Sequence, residues 1–330
     1  MRQARITVPA EEGPGVYHAL TRTANGERLF DEVAREVLRK QLWQIADYCG
    51  VEILTYAILS NHFHVLVRVP QKLAIPDTEL LRRYNVLYPK PTRYQTVRLE
   101  VIQAQLATNG PEALAWRRRQ DALMNNLSQF MKLLKQRFSK WFNQTHHRFG
   151  TLWAERFKSN LLEPKPGLLE ILAAYIDLNC VRAGLASDPK DYRFCGYAEA
   201  VAGSAMARRG LTTAVGAPTQ DWTDVQAGYR QVLFGTATAP REHKGGISLE
   251  EFQRVLKEGG TLPRATVLRC RVRYFTDGAV LGTRAFVAIQ LARYQRRLAP
   301  GRRSTPHPVP ILTDWGELTT LRKLRGSGFG

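Results

Sequence analysis

The sequence predicts an α/β fold, with helices packed on an antiparallel sheet of about four or five strands and a smaller, mostly helical, basic C-terminal region after it. Three observations support this prediction. Near the N-terminus, a strand-like segment, an amphipathic helical segment and two strand-like segments joined by a two-residue turn follow one another. A long helical pattern, a further strand and an apolar helix come next. A basic segment rich in proline and arginine ends the chain.

Periodicity and turn residues predict the first elements. Residues 15–23 alternate as a strand does, and apolar residues recur at helical spacing over 29–49. Residues 51–59 and 61–69 are rich in β-branched and aromatic side chains and are separated by a short turn. The order is therefore a strand, a helix and a β-hairpin.

The same two periodicities, with glycine and proline as breakers, predict the remaining elements. The predicted helices cover residues 77–88, 112–143, 167–181, 248–258 and 283–297. One further strand is predicted over residues 157–163.

A change of composition predicts the domain boundary. Residues 187–218 are rich in glycine, alanine, proline and serine, which favours a boundary near Ser204. The sequence therefore predicts a first domain over residues 1–204, with a helical insertion at about 71–126, and a basic extension over residues 205–330.

Basic residues strongly exceed acidic ones. There are 48 Lys+Arg against 29 Asp+Glu, a net charge of +19 and a pI near 10.1. Nearly all of the excess lies in two blocks, since residues 115–160 carry 10 basic and 2 acidic residues and residues 241–330 carry 17 and 7. This balance favours a polyanionic partner, because binding releases counterions from phosphates. Nucleic acid is the leading candidate, and a merely solvated basic surface is the alternative.

Other partners and sites have less support in the sequence. There is no run of 18 or more apolar residues and no signal-peptide pattern, so we expect no membrane partner and a cytoplasmic location. The cysteines are far apart, with no Cys-x-x-Cys pair, which predicts neither a disulfide framework nor a cysteine zinc site. The cysteines, expected to be reduced, are Cys49, Cys180, Cys195 and Cys270.

A pair of histidines stands in the second strand of the predicted hairpin. His62 and His64 are two residues apart, so their imidazoles project from one face of the strand and could share a cation. A His-x-His pair alone is weak evidence, because it also occurs by chance and in unrelated zinc hydrolases.

A tyrosine and an asparagine lie on one face of the helix predicted over 167–181. Tyr175 and Asn179 are at positions i and i+4, one helical turn apart, so both could face the same site. Without the histidines, an ordinary half-buried tyrosine would be the better interpretation.

Together these motifs resemble the single-tyrosine transposases that carry a His-hydrophobic-His pair, and among them the REP-associated tyrosine transposases of the IS200-like superfamily. The resemblance covers about residues 12–203, and several separate motifs occur in the family's order. The matching segments are Val16-Tyr17-His18 with Arg22, residues 60–67, His147-Arg148-Phe149-Gly150 with Leu152-Trp153 and Arg156-Phe157-Lys158, and residues 175–179 with 181–184. Residues 273–278 and 281–284 are similar to the C-terminal extension of longer members.

The resemblance implies a function and a set of roles. His62 and His64 would hold a divalent cation, Mg²⁺ or Mn²⁺, with Asn179 as third protein ligand and Tyr175 as nucleophile. The sheet would be ferredoxin-like and residues 1–204 the catalytic domain. The partner would be single-stranded DNA with a REP-like hairpin, cleaved and rejoined through a 5′-phosphotyrosine. Imidazole and amide ligands agree with this chemistry, since they leave open positions for phosphate oxygens.

Two features depart from the family pattern. Cys180 stands where relatives commonly carry proline, which affects the geometry at the end of the tyrosine helix. The spacer before Leu127 is longer than in compact members, which predicts an inserted helical element. His146 and His147 are further candidate ligands or phosphate contacts, with DNA binding or packing as the favoured interpretation.

Cations interleaved with aromatic rings predict contacts to single-stranded DNA, because bases stack on rings while Lys and Arg follow the phosphates. Phe138, Trp141, Phe142 and Phe149 belong to this pattern, and many such rings are expected in the core. The predicted DNA-binding residues are Arg82, Arg83, Tyr84, Arg93, Arg137, Arg148, Trp153, Arg156, Lys158, Arg182, Arg284 and Arg293. A DNA partner also predicts association with the nucleoid.

Several alternatives stay open at this point. A catalytically silent or regulatory protein descended from such a transposase would bind hairpin DNA without cleaving it. A rolling-circle initiator or relaxase shares the chemistry but differs in its flanking motifs. Monomer and homodimer are both compatible with the sequence, as is a tyrosine helix that serves a partner subunit. The Gly278 turn before residues 283–297 could be half of a helix-turn-helix.

Overall fold

The computed structural model describes residues 5–91, 98–235, 263–269, 271–295, 305–309 and 317–322. Within these residues the chain forms one sheet of seven strands. The strands are β1 (Gly15–Arg22), β2 (Glu52–Ile58), β3 (His62–Val69), β4 (Lys158–Leu162), β5 (Val280–Gly282), β6 (His307–Pro308) and β7 (Thr319–Thr320). The first four lie where the sequence predicts strands.

Helices account for most of the remaining described residues. They are α1 (Glu32–Cys49), α2 (Asp77–Leu87), α3 (Leu99–Thr108), α4 (Pro111–Asp121), α5 (Leu127–Thr145), α6 (Pro166–Asp177), α7 (Asn179–Arg182), α8 (Gly196–Val201), α9 (Ala205–Ala214), α10 (Trp222–Phe234), α11 (Arg264–Arg269), α12 (Tyr274–Asp277) and α13 (Arg284–Gln295). Helices α2, α3 and α4 occupy the range for which the sequence predicts a helical insertion.

The first four strands have a ferredoxin-like arrangement. They lie in the order β2-β3-β1-β4, and every neighbouring pair is antiparallel. Helix α1 connects β1 to β2 across β3, and α5 leads into β4, which together give the split β-α-β pattern. The predicted α/β fold with an antiparallel, ferredoxin-like sheet is confirmed.

The described part of the C-terminal region is mostly helical, as predicted, but it also adds three short strands to the sheet. Strand β5 pairs with β4 in parallel, and β7 and β6 continue the sheet in antiparallel pairs. The predicted number of about four or five strands is therefore too low. These added strands have only two or three residues each, and such short segments show no alternation that a sequence pattern could reveal.

Alternating side chains along β3 divide the helices between the two faces of the sheet. The Phe63 ring lies 5.9 Å from the Trp153 ring, which in turn lies 5.9 Å from the ring of Phe138 on α5. His62 and His64 point to the opposite face, which α6 covers. Helices α5 and α1, which pack together, therefore cover one face and α6 covers the other.

The long helix predicted over 112–143 is two helices in the structure. Asn125, between α4 and α5, has a positive φ of 47°, and the side chain of Asn126 accepts two backbone N–H bonds at the start of α5. Asparagine tolerates the left-handed conformation and is a strong N-cap. A smaller interruption at Leu178 divides the helix predicted over 167–181 into α6 and α7.

Some predictions fall on other parts of the chain. The predicted helix over 248–258, Arg93 and Cys270 lie outside the described residues. Cys49, Cys180 and Cys195 are buried free thiols. Among the helices that the structure describes, none is long and apolar enough to span a membrane.

Contacts cross the boundary predicted near Ser204. Helix α9 packs against β2, α10 packs against α6, and β5 pairs with β4. The hydroxyl of Tyr229 on α10 donates to Asp177 Oδ2 at 2.6 Å. Buried side chains from both sides of Ser204 form one continuous hydrophobic core. The division at Ser204 stays a prediction, and these contacts bear on what truncation there would do.

We expect a chain ended after Ser204 to lose most of its stability. It would lose buried partners such as Leu233, Phe275 and Leu281, each worth about 1.5–3 kcal/mol of burial. The total stability of a domain is typically about 5–15 kcal/mol. Thermal unfolding followed by circular dichroism should show a broad transition at a much lower temperature, or none. A cooperative transition at the full-length temperature would instead support an independent domain over residues 1–204.

Candidate active site

The His pair, Tyr175 and Asn179 line one cleft with a volume of about 390 Å³. Strand β3 supplies His62 and His64, and the junction of α6 and α7 supplies the tyrosine and the asparagine. The two halves are far apart in the sequence. The packing of α6 on the sheet brings them together.

The two imidazoles share one face of β3, as alternation along a strand requires. Their ring centroids are 5.2 Å apart, with an interplanar angle of 78°. His64 is buried, with 4% of its surface exposed, and His62 is half-buried nearer the mouth of the cleft.

Both imidazoles are neutral near pH 7. Burial, and next the positive charge of Arg22, lowers the pKa of His62 to about 4. Burial, followed by the influence of His18, lowers the pKa of His64 well below its usual range. A neutral imidazole keeps a lone pair on one nitrogen, which is the state that metal ligation requires.

One nitrogen of each imidazole is engaged by a neighbouring side chain. His62 Nδ1 lies 2.6 Å from Asn61 Oδ1, and His64 Nδ1 lies 2.8 Å from His18 Nε2. Nε2 is therefore the remaining nitrogen of each ring. Histidines that bind metals commonly engage their second nitrogen in this way, which fixes the orientation of the ring.

Backbone carbonyls fix the orientation of the Asn179 amide. Its Nδ2 donates to the carbonyl of Ile176 at 3.1 Å and to that of Tyr175 at 3.4 Å. Because a carbonyl can only accept, the amide nitrogen must face the helix and Oδ1 must point away from these two carbonyls. Asn179 is buried but lines the cleft, so its oxygen is placed to act as a hard ligand.

These donors fit a divalent cation such as Mg²⁺ or Mn²⁺. Within the part of the chain that the structure describes, no group of three or more His, Cys, Asp and Glu side chains could hold a metal ion. In a cation site built on His62 and His64, Asn179 would supply the third protein ligand. Three protein ligands leave positions open for substrate oxygens.

Two neighbouring groups hold the Tyr175 ring beside the cleft. The ring is 2% exposed. The Phe275 ring packs edge-on against it, with centroids 5.1 Å apart and an angle of 80°. The guanidinium carbon of Arg182 lies 4.0 Å from the tyrosine ring centroid. Arg182 also donates to the backbone carbonyls of Tyr175 and Leu268.

Asp177 ties α6 to the surrounding elements. Its fully buried carboxylate accepts hydrogen bonds from Thr55 Oγ1 at 2.8 Å, from Tyr229 OH at 2.6 Å and from the backbone N–H of Tyr197 at 3.2 Å. Burial raises the pKa of Asp177 to about 7, and the three donors oppose that shift. These bonds connect α6 to β2, α8 and α10, and so hold the tyrosine two residues earlier in place.

Positive charge dominates the cleft. The cationic side chains that line it are Arg22, Arg156, Lys158, Arg182 and Arg271, against the two carboxylates of Glu155 and Asp277. Lys158 Nζ lies 3.5 Å from Asp277 Oδ1 and 3.6 Å from Glu155 Oε1, and these exposed pairs are weak. The excess of cations suits a phosphodiester, which carries one negative charge.

Of the predicted DNA-binding residues, Arg156, Lys158 and Arg182 lie in the cleft. Arg148 is on the loop before β4 and pairs with Glu27 at 3.1 Å. Trp153 is 8% exposed, and its Nε1 donates to a serine hydroxyl at 2.7 Å. The Trp153 ring therefore packs mainly in the hydrophobic core, against Phe63 on β3.

The predicted DNA-binding residues on α2 contact other parts of the protein in the structure. Tyr84 is 2% exposed, and its ring packs on Tyr88 and Trp116. Arg82 and Arg83 pair with Glu79 one turn earlier. The structure therefore assigns Tyr84 to the core instead of a DNA surface, because it lies on the buried face of its helix. The two arginines stabilise α2 through ion pairs.

The other predicted DNA contacts lie elsewhere on the surface. The Arg137 guanidinium is 5.7 Å from the Tyr88 ring centroid, Arg284 is exposed at the start of α13, and Arg293 pairs with Glu12. None of these three arginines is among the described residues that line the cleft.

Four residues at the site were given no role in the sequence analysis. His18 and Asn160 are buried polar residues on β1 and β4, and Arg271 and Phe275 come from the C-terminal region. Buried polar side chains usually have a specific partner. His18 stands among apolar residues in a predicted strand, and that position was the available signal.

A family model described as IS200-like transposase matches residues 15–83. This range holds β1, α1 and the hairpin with the His pair. Residues 15–83 are therefore similar to the IS200-like transposase family, in agreement with the resemblance of the sequence motifs.

One solved structure, of a REP-associated tyrosine transposase bound to a REP hairpin, is similar to this chain with a TM-score of 0.36 and 14% sequence identity. The alignment covers 62% of this chain and 87% of that chain. Among curated proteins, none matches this sequence.

Asp177→Asn tests the anchoring carboxylate through the pH dependence of stability. Because the folded pKa of about 7 lies above the ordinary value of 3.8, the folded state binds this proton more tightly. The contribution of Asp177 to stability is therefore present at low pH and lost as pH rises through about 7. The Asn variant cannot ionise and should lack this loss, which denaturant unfolding at several pH values can measure.

The matched control is Asp47→Asn, which removes an exposed carboxylate and should keep the pH dependence of the wild type. If Asp177→Asn and the wild type lost stability equally between about pH 4 and pH 7, the carboxylate would not be the titrating group.

Proposed function

We propose that this protein is a DNA transposase that cleaves and rejoins single-stranded DNA beside a hairpin, such as a REP-like palindrome. Tyr175 is the nucleophile, and His62, His64 and Asn179 hold Mg²⁺ or Mn²⁺. The observation that carries the proposal is the meeting of these four residues in one cationic cleft. The motif resemblance supplies the hairpin and the polarity of the linkage.

The chain's contribution to metal binding is two neutral imidazoles and one oriented amide. His62 and His64 each keep Nε2 for the cation, since their Nδ1 atoms are engaged. Asn179 offers an oxygen, because its nitrogen is held by backbone carbonyls. When bound, the cation would polarise the scissile phosphodiester and stabilise charge on the leaving oxygen.

The bond exchange at Tyr175 balances without another reactant. The phenolic oxygen forms a bond to phosphorus, and the bond from phosphorus to the 3′ oxygen breaks. The phenol gives up its proton, and the departing oxygen takes up a proton to become a 3′ hydroxyl. One phosphodiester replaces another, so no ATP is needed. Attack of a 3′ hydroxyl on the phosphotyrosine reverses the exchange and joins a strand.

The cleft cations would hold the strand during this exchange. Arg22 and Arg271 are exposed at the cleft and are suited to the phosphates that flank the scissile one. Such contacts position the strand without reading its sequence, and they make binding dependent on salt.

Tyr175→Phe tests the nucleophile. It keeps the ring contacts with Phe275 and Arg182 but removes the oxygen, so we expect a folded variant that binds DNA and forms no covalent adduct. A single-stranded oligonucleotide with a stem-loop is labelled on one side of the cut at a time and incubated with Mg²⁺ or Mn²⁺. The wild type should give a denaturation-resistant adduct with the 3′-side fragment only.

Two further variants make this experiment specific. Tyr192→Phe removes a hydroxyl that bonds a backbone carbonyl away from the cleft, and it should keep the adduct. His62→Ala should bind DNA but lose metal-dependent cleavage, because binding is spread over many phosphates while the metal acts at one. Adduct formation by Tyr175→Phe at the wild-type rate would move the nucleophile elsewhere. No adduct from the wild type on several hairpins would favour a catalytically silent hairpin-binding protein.

An exposed aromatic ring on the loop between α5 and β4 supports binding of unpaired bases. Phe149 is 95% exposed on the loop between α5 and β4. The loop is shaped by the positive φ of His147 and Gly150, and Asn143 Nδ2 donates to the Gly150 carbonyl at 3.0 Å. Arg148 lies beside the ring in sequence. A ring held in water next to a cation is suited to stack on a nucleobase.

Phe149→Ala should weaken binding of a hairpin with a single-stranded flank by about 1–3 kcal/mol, the usual contribution of one stacked base. The temperature of unfolding should not change, because the ring has few contacts to lose. Fluorescence anisotropy with labelled DNA measures the affinity. Leu114→Ala, which removes an exposed apolar side chain on α4, is the control. An affinity equal to that of the wild type would exclude this loop from the DNA surface.

A further inference from the structure

His18 lies behind the His pair and is completely buried. Its Nε2 is 2.8 Å from His64 Nδ1, and its Nδ1 is 2.8 Å from the backbone carbonyl oxygen of Phe275. The His18 and His64 rings are stacked, with centroids 5.1 Å apart and an interplanar angle of 27°. A continuous chain of hydrogen bonds therefore runs from the C-terminal region to the candidate ligand His64.

The direction of this chain follows from the Phe275 carbonyl. A carbonyl oxygen can only accept, so His18 Nδ1 must carry the proton and donate it. In a neutral imidazole the other nitrogen then has a lone pair, so His18 Nε2 accepts from His64. His64 must in turn carry its proton on Nδ1. The lone pair of His64 is then on Nε2, the ring nitrogen that takes no part in this series of hydrogen bonds.

The Phe275 carbonyl is itself held in place by Asn160 on β4. Asn160 Nδ2 donates to this carbonyl at 2.7 Å and to the Tyr274 carbonyl at 3.2 Å, and Asn160 Oδ1 accepts from the N–H of Ala279 at 2.9 Å. Both ends of the amide are used, so its orientation is determined. Asn160 also lies directly opposite His18 in the β1–β4 register.

We propose that His18 is a positioning residue that sets the tautomer of His64, and that the Phe275 carbonyl, clamped by Asn160, sets the tautomer of His18. The residues at 274–279 would thereby direct the His64 Nε2 lone pair into the cleft from beyond the predicted domain boundary. The consequence for metal binding rests on the proposed function, whereas the tautomers do not.

The same segment also contacts the other half of the site. The Phe275 ring packs edge-on against Tyr175, while its carbonyl accepts from His18. Phe275 therefore contacts the proposed nucleophile Tyr175 directly, and it is linked to the proposed ligand His64 through His18. The hydrogen-bond partners of metal ligands commonly affect metal affinity as well, because they fix the orientation of the ligands.

The tautomers can be measured on the full-length, metal-free protein. Long-range ¹H–¹⁵N correlation spectra of ¹⁵N-histidine-labelled protein distinguish protonated from unprotonated ring nitrogens, and single-histidine variants assign the seven histidines. We expect His18 and His64 both to carry the proton on Nδ1. A proton on Nε2 of His64 in the wild type would overturn the proposal, whether or not the protein binds metal or cleaves DNA.

Two substitutions separate positioning from packing. His18→Gln offers an oxygen to accept from His64 and an N–H to donate to Phe275, so the His64 tautomer should be kept. His18→Leu fills the space but accepts nothing, so His64 should show a mixture of tautomers. If His18→Leu does not fold, the wild type and His18→Gln still decide, because loss of the tautomer in a folded Gln variant also contradicts the proposal.

Binding of Mn²⁺, followed by its electron paramagnetic resonance signal, gives the second measurement. His18→Leu should bind Mn²⁺ about tenfold to a hundredfold more weakly, and His18→Gln within about threefold of the wild type. Tyr17→Phe is the control, because it removes a partly buried hydrogen bond from the same strand and should leave Mn²⁺ affinity unchanged. Equal affinities for His18→Leu and the wild type would overturn the positioning role. If the wild type bound no Mn²⁺ while both tautomers were as expected, the proposed function would fail and the inference about His18 would stand.

Asn160→Ala tests the C-terminal part of the chain of bonds. It leaves His18 and His64 intact but removes the three hydrogen bonds between the Asn160 side chain and residues 274–279. We expect the His18 signal to lose its single Nδ1–H form and the His64 signal to change with it. Wild-type signals for both histidines in a folded Asn160→Ala variant would show that the Phe275 carbonyl needs no such clamp and would overturn this part of the proposal.

Discussion

The antiparallel pairing of β1 with β3 is the constraint on which the site depends. In this register Leu20 lies opposite His64 and His18 lies opposite Leu66, while β4 brings Asn160 opposite His18. Residues opposite each other in a sheet point to the same face. Polar side chains from three strands therefore share the face that α6 covers. A slip of one residue along either strand would turn its side chains to the other face.

Desolvation acts on two kinds of group around this sheet, with different consequences. It keeps the buried imidazoles neutral, which suits metal ligation, and it raises the pKa of Asp177, whose bonds connect α6 to α10. The cleft cations Arg22 and Arg271 remain exposed, so they offer charge to a phosphate without the cost of burial. Through Tyr229 and Phe275, the C-terminal region is structurally part of the site.

The sequence by itself determined the local elements and the main chemistry-bearing residues. Strands β1 to β4, helix α1 and the hairpin follow from periodicities of 2 and 3.6 residues, which depend only on near neighbours. The same rules place His62 and His64 on one face of a strand, and Tyr175 and Asn179 one turn apart. The order of the motifs indicated the IS200-like family, and a model of that family matches residues 15–83. Asn125 and Asn126, which divide α4 from α5, are residues that favour a helix break, but helical periodicity alone does not detect that break.

Only the tertiary structure decided what surrounds those residues. Strands β5, β6 and β7 are too short to be recognised without the neighbours they pair with. The burial of Tyr84 depends on which face of α2 packs against the core. The neighbouring arginines in the sequence do not indicate which face that is. The hydrogen bond between His18 and Phe275 joins residues 257 positions apart. No local pattern can specify such a contact, because it arises only when the C-terminal segment packs beside β4 and its carbonyl meets a buried donor.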